Sequence, residues 1–188
     1  MIRAFLALAA CAACVACGAS EREKKPPGVG MSSGTLVGVS DGAPRLSEPL
    51  TFAFESLDDR PMASDTTRGK CVVLAFVATW DLASQAQINY LNAMAKNDGD
   101  AVFYGAVAIE DNSNRALVRA YTHALSVTFP MAQIDRAGMS ATHAFADVQE
   151  VPTLVLLDAR GVLIARKSGL NKPDDVRAMQ GKCARKVK

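Results

Sequence analysis

Several things are scarce in this 188-residue sequence, and each scarcity excludes something. Charge of one sign is the first: 21 Lys and Arg against 19 Asp and Glu leave a formal net charge of +2. No phosphate-tracking basic surface follows from that balance, so the chain is not read as a nucleic-acid binder. Histidine occurs twice, at His123 and His143, on predicted helices and outside any Cys/His/Asp cluster with metal-ligand spacing. No metal and no cofactor is expected. The uninterrupted apolar run from Ala4 to Ala16 falls short of the roughly 18 residues that a membrane-spanning helix needs. Five cysteines are too few to build a disulfide scaffold in a chain of this length. What is plentiful is apolar side chain, 49% of the sequence, which excludes a mostly disordered chain and suits one domain with a proper core.

The first residues read as an address. Arg3 precedes the apolar run, small residues close it, and Cys11, Cys14 and Cys17 sit where cleavage would occur. Such a cysteine resembles the lipidated residue of a bacterial lipoprotein signal. That gives a signal segment over 1–16 with Cys17 as the lipidation site, Cys11 being the alternative. An ordinary cleaved signal peptide is the plainer reading, and both export the chain. Gly18 after Cys17 follows the sorting pattern for the outer membrane, so the expected location is the periplasmic side of a bacterial membrane, outer membrane favoured. Residues 17–49 then form a tether, broken by Lys24-Lys25-Pro26-Pro27-Gly28, with a short strand over Thr35–Val39. Export leaves Cys71 and Cys183 as the mature thiols. A structural disulfide, two buried inert thiols and one reactive thiol are all compatible with the sequence.

From Leu50 to residue 181 the texture is globular, and a basic tail follows over 182–188. Leu50–Glu55 predicts a strand that Asp58-Asp59-Arg60-Pro61 turns back. Cys71–Ala78 is a continuous apolar run with β-branched residues, as in a strand covered on both faces. Asp81 then caps a helix from Leu82 to about Lys96. A strand over Ala101–Ile109, a helix from Asn112 or Ser113 to about Leu125, a strand over Thr128–Ile134 and a short helix over Gly138–Phe145 continue the alternation. Thr153–Leu157 and Val162–Lys167 flank a hairpin turn at Asp158-Ala159-Arg160-Gly161, and Pro173 begins the last helix. The order predicts a mixed α/β sheet with helices on both faces and an N-terminal β-hairpin.

That order resembles the thioredoxin fold, and more narrowly the TlpA/ResA-like and redoxin group of membrane-tethered periplasmic proteins. The likeness is carried by LTFAFESLDDRPM, GKCVVLAFVATW and VPTLVLLDARGVL, and spans about Leu50 to Gln180. It implies that Pro152 is the cis-proline of the fold and that the active site opens the helix after Trp80. The family's chemistry uses a C-x-x-C pair there, because the helix N-terminus stabilises a thiolate and the second thiol resolves the mixed disulfide. Asp81 and Ser84 occupy those two positions here. Gln87 stands for the family's frequent Glu, Asn89 for its kinking proline and Ala75 for its buried acid.

The expected function is therefore non-catalytic: a lipid-tethered thioredoxin-fold protein that binds an extended peptide or envelope partner in a groove formed by Trp80, Asp81, Val151 and Pro152. The chain is read as leaning away from enzymatic activity. The alternative is a thiol–disulfide oxidoreductase or peroxidase using Cys71, Cys183 or both, although ten residues of extended chain would put Cys71 roughly 30 Å from the usual site. Asp81 is read as an N-cap and Ser84 as no nucleophile. The Glu110-Asp111 pair is read as a solvated strand exit, and Met94, Met131 and Met139 as core.

Overall fold

In a computed structural model of the chain, residues 48–142 and 144–184 are described. The readings placed on residues 1–47, including Cys11, Cys17 and the strand over Thr35–Val39, lie outside them, as do His143 and residues 185–188. A two-stranded antiparallel hairpin comes first, β1 (Ala53–Phe54) and β2 (Met62–Ala63). Then follow β3 (Cys71–Val77), α1 (Leu82–Asp98), β4 (Val102–Ile109), α2 (Arg115–Ala124), β5 (Met131–Ile134), α3 (Arg136–Ala141), β6 (Thr153–Leu157), β7 (Leu163–Ser168) and α4 (Pro173–Ala184).

The main sheet has the order β5-β4-β3-β6-β7. β5 and β4 run parallel to β3, whereas β6 and β7 are antiparallel to their neighbours. β3 is central, and the continuous apolar run of 71–78 is explained by burial on both faces. Val73, Ala75 and Val77 point into one core with Ile88 and Leu91 of α1, Val118 of α2 and Val176 of α4. Val72, Leu74 and Phe76 point into the other, beneath Phe52, Phe54, Met62, Met139 and Phe145. Met94, Met131 and Met139 are core, as expected.

Several boundaries differ from the sequence reading. The first strand pairs only at 53–54, where it meets Met62 and Ala63, although Phe52 and Phe54 both bury toward the core. β5 begins at Met131 rather than Thr128, after Pro130, which has no N–H to give the ladder. The short helix covers 136–141 rather than 138–145, because Asp135 caps it by accepting from the Gly138 N–H at 2.6 Å. The β6–β7 turn is as predicted: Gly161 has φ 82°, and Asp158, buried within the turn, accepts from the backbone N–H groups of Arg160 and Val162, each at 2.9 Å.

Candidate functional site

β3 and β4 run parallel in register, Val77 opposite Ala108, so both deliver their C-terminal overhangs to the same end of the sheet. Antiparallel β6 starts at that end, with Thr153 opposite Phe76. Pro152, one residue earlier, thus stands beside the turn that leads from β3 into α1. The Val151–Pro152 peptide bond is cis, as the resemblance implied. Pro152 is buried, its carbonyl accepts from the Gly169 N–H at 2.8 Å, and Thr153 Oγ1 donates to the Glu150 carbonyl at 2.8 Å. The proline loop is fixed from both sides.

The first turn of α1 is closed on itself. Asp81 has extended dihedrals and caps the helix: its Oδ2 accepts from the Ser84 backbone N–H at 2.7 Å and from Ser84 Oγ at 2.6 Å. Ser84 Oγ in turn accepts from the Ala78 N–H at 3.2 Å, and Ser84 is fully buried. Asp81 and Ser84 therefore satisfy one another's hydrogen bonds. The capping role read for Asp81 holds, and the carboxylate that accepts from Ser84 Oγ is the one engaged as the cap.

Glu110 is a correction. Far from being a solvated strand exit, it is buried, and its Oε1 accepts from the Thr79 backbone N–H at 2.8 Å and from Thr79 Oγ1 at 2.6 Å. Its other oxygen accepts from Asn114 Nδ2 at 3.3 Å, while Gln85 Nε2 donates to the Thr79 carbonyl at 3.3 Å. The parallel register is the reason: the residue after Ile109 lies next to the residue after Ala78. A polar pair, Thr79 and Glu110, following two apolar parallel strands was the available signal. Asp111 does face solvent; hydrogen bonds from the Ser113 backbone and hydroxyl hold its carboxyl below the usual carboxylate range.

With Thr79 clamped, Trp80 is turned outward, 74% exposed, and Leu82 follows at 79%. Val151 is half-buried, and Leu170, after the Gly169 that anchors Pro152, is 44% exposed. Asn171 next to it donates its N–H to Gln87 Oε1 at 2.8 Å, tying the start of α4 to α1. Trp80, Leu82, Val151 and Leu170 thus lie on the segments that meet at the cis-proline end of the sheet. Beneath the cap, burial and then the Asp81 charge push the Tyr121 phenol upward in pKa.

Cys71 and Cys183 are far from this end. They form a disulfide with Cα atoms 5.9 Å apart, joining the start of β3 to the end of α4. Of the three states open to these thiols, pairing is the one found. β3 ends at Val77, so the sulfurs lie roughly 20 Å along the strand from the α1 turn, nearer than a fully extended chain to Asp81 allowed. His123 is exposed on α2 beside a hollow of about 410 Å³ floored by Leu57 and Met131, on another part of the surface. Among the described residues no His/Cys/Asp/Glu group could hold a metal ion, and no helix is long and apolar enough to cross a membrane.

No family model matches the chain. It is 27% identical over 128 residues to the thioredoxin-like protein YneN of Bacillus subtilis (strain 168), covering 68% of this chain and 71% of that one. A DsbF homologue from Corynebacterium diphtheriae superposes with a TM-score of 0.64 at 16% identity, over 72% of this chain and 85% of that one. A secreted Mycobacterium tuberculosis disulfide oxidoreductase homologous to E. coli DsbE gives 0.57 at 17% identity, over 70% and 95%. The domain has a thioredoxin-like fold.

Proposed function

We propose that this thioredoxin-like domain is exported and held at the periplasmic side of a bacterial membrane, by lipid on Cys17 or alternatively Cys11. There it recognises an extended peptide or partner segment without exchanging disulfides at α1. One observation carries the reading: Asp81 and Ser84, which the resemblance puts at the two thiol positions, are hydrogen-bonded to each other at 2.6 Å, with Ser84 buried beneath the turn. Oxygen at both positions cannot pass electrons between dithiols. What the fold retains there is recognition hardware. A cis-proline edge offers backbone groups to a bound strand, and Trp80 and Leu82 offer apolar area beside it. Export is supported by the apolar leader and by the secreted relative of the same fold.

The experiment is photocrosslinking in cells from position 80, with position 117 on α2 as an exposed apolar control. The reading expects a specific partner from position 80 that position 117 does not capture. Failure of position 80 to capture any partner above that control contradicts it.

The second reading, exchange through Cys71 and Cys183, is favoured by one observation: the two sulfurs are paired and Cys71 is half-exposed. Insulin reduction that depends on either cysteine would select it over recognition alone.

A further inference from the structure

The end of α2, the loop from α2 to β5 and the connection between β1 and β2 frame the hollow of about 410 Å³ beside His123. Its walls are tied together by hydrogen bonds. Leu57 donates its N–H to the Met131 carbonyl at 2.7 Å, and Arg60 Nη1 donates to the Thr128 carbonyl at 2.7 Å. Asn92 of α1, itself buried, holds the loop from behind: its Nδ2 donates to the Leu125 carbonyl at 3.0 Å and its Oδ1 accepts from the Thr128 N–H at 3.1 Å. Leu57, Val127 and Met131 make the lining apolar. A hollow of this volume, apolar and already formed, suits a small ligand.

The polar groups at the hollow fall into two sets. Arg119 and His123 stand one helical turn apart on α2, both exposed, and neither is in an ion pair among the described residues. Ser126 lines the hollow beside them with φ 50°, in the left-handed position after a helix end that glycine ordinarily takes. Asp59, next to the lining residue Asp58, has φ 59°, and these are the two non-glycine residues with positive φ among the described residues. Such conformations gather at ligand sites, where the surrounding structure enforces them. The acids, by contrast, are largely taken. Asp58 Oδ1 accepts from Ser56 Oγ at 3.1 Å and the Arg60 N–H at 3.3 Å, and its Oδ2 from Arg60 Nε at 2.8 Å and Nη2 at 2.5 Å. Four donors fill the acceptor sites of one carboxylate. Glu55 nearby is paired with Arg115 at 3.3 Å, and Asp59 does not line the hollow. What is left to meet a ligand is a guanidinium, an imidazole and a hydroxyl along one wall of an apolar hollow.

We infer that this hollow binds a small organic monocarboxylate with an apolar body, its carboxylate held by Arg119 and His123 and its hydrocarbon laid on Leu57, Val127 and Met131. The planar fork of a guanidinium matches a carboxylate with two parallel hydrogen bonds, and the pairing gains from the apolar surroundings. A single negative charge follows from Asp58, whose carboxylate is fixed in the lining and repels a second one. The site binds and transfers nothing, and the inference does not rest on what the Trp80–Pro152 groove recognises.

The test titrates the full chain and its Arg119→Gln/His123→Gln variant by calorimetry with 3-phenylpropanoate, its neutral amide 3-phenylpropanamide and the dianion phenylsuccinate. The wild type is expected to bind the carboxylate about tenfold more tightly than the amide, the size of one or two hydrogen bonds to a charged group. The variant should lose that preference while binding the amide as the wild type does. Phenylsuccinate should bind the wild type several-fold more weakly than phenylpropanoate. Both substituted residues are exposed, and equal melting temperatures establish that the variant is folded. Methionine methyl resonances report the place: phenylpropanoate should shift Met131, which lines the hollow, and leave Met94 and Met139 unmoved. No saturable binding by the wild type overturns the inference, as does a carboxylate preference that the variant keeps. Saturation that leaves the Met131 methyl unmoved overturns it too, and so does tighter binding of the dianion.

Discussion

Reducing the Cys71–Cys183 bond unlinks the end of α4 from the start of β3, and the size of the effect follows from the chain. The bond joins residues 112 apart in sequence. Removing a loop-closing link of that length returns about 5 kcal/mol of entropy to the unfolded chain in the chain-entropy treatment. Domains of this size have total stabilities of about 5–15 kcal/mol, so the loss is a large fraction of the whole. The end of α4 would not come away entirely. Arg177 pairs with Asp98 at 2.5 Å, Gln180 Nε2 donates to Tyr104 Oη at 2.7 Å, and Val176 and Met179 remain in the core. The expected result is therefore a reduced domain that still folds but melts about 15 °C lower. Thermal unfolding followed by circular dichroism, with and without dithiothreitol, measures it, and the Cys71→Ala/Cys183→Ala variant should match the reduced protein. A melting temperature that reduction leaves within about 2 °C would refute the argument that this bond clamps α4 to the sheet.

Three further outcomes follow from the site and its supports. Asp81→Ala removes a cap and leaves the Ser84 hydroxyl without its acceptor, so urea denaturation should show a loss of about 1–2 kcal/mol with the fold intact. Glu110→Ala strands the buried Thr79 N–H, costing about 1–3 kcal/mol, and should shift and broaden the emission of Trp80 next to it; unchanged emission would contradict the clamp. Acid should destabilise the domain through Asp98: burial pushes its pKa up, but hydrogen bonds from Tyr104 and Arg177 outweigh this and hold it below the ordinary 3.8. Its contribution is complete above that value and lost as pH falls through the depressed one, so melting temperatures should drop below about pH 4 and Asp98→Asn should flatten that drop.

Much of the architecture was legible because its signals are local. The apolar run at 71–78 needs a two-faced strand, Asp81 and Pro173 mark helix starts, and Asp158 to Gly161 is a turn by its chemistry alone. The pairing of Asp81 with Ser84 three residues on is also local, an N-cap and its first-turn partner. Glu110 was misread because its neighbour, Thr79, is 31 residues away and is brought to it only by the register of two parallel strands. The disulfide was undecided for a similar reason. Cys183 reaches Cys71 through the path of α4 across the sheet, which no local pattern encodes.

The central claim is that the α1 turn recognises without transferring electrons, and insulin reduction by dithiothreitol tests it most directly. The wild-type chain should not accelerate precipitation above the uncatalysed rate, whereas Asp81→Cys/Ser84→Cys, which restores sulfur beside the cis-proline, should do so. Turnover by the wild type that disappears in Cys71→Ala or Cys183→Ala would contradict the account.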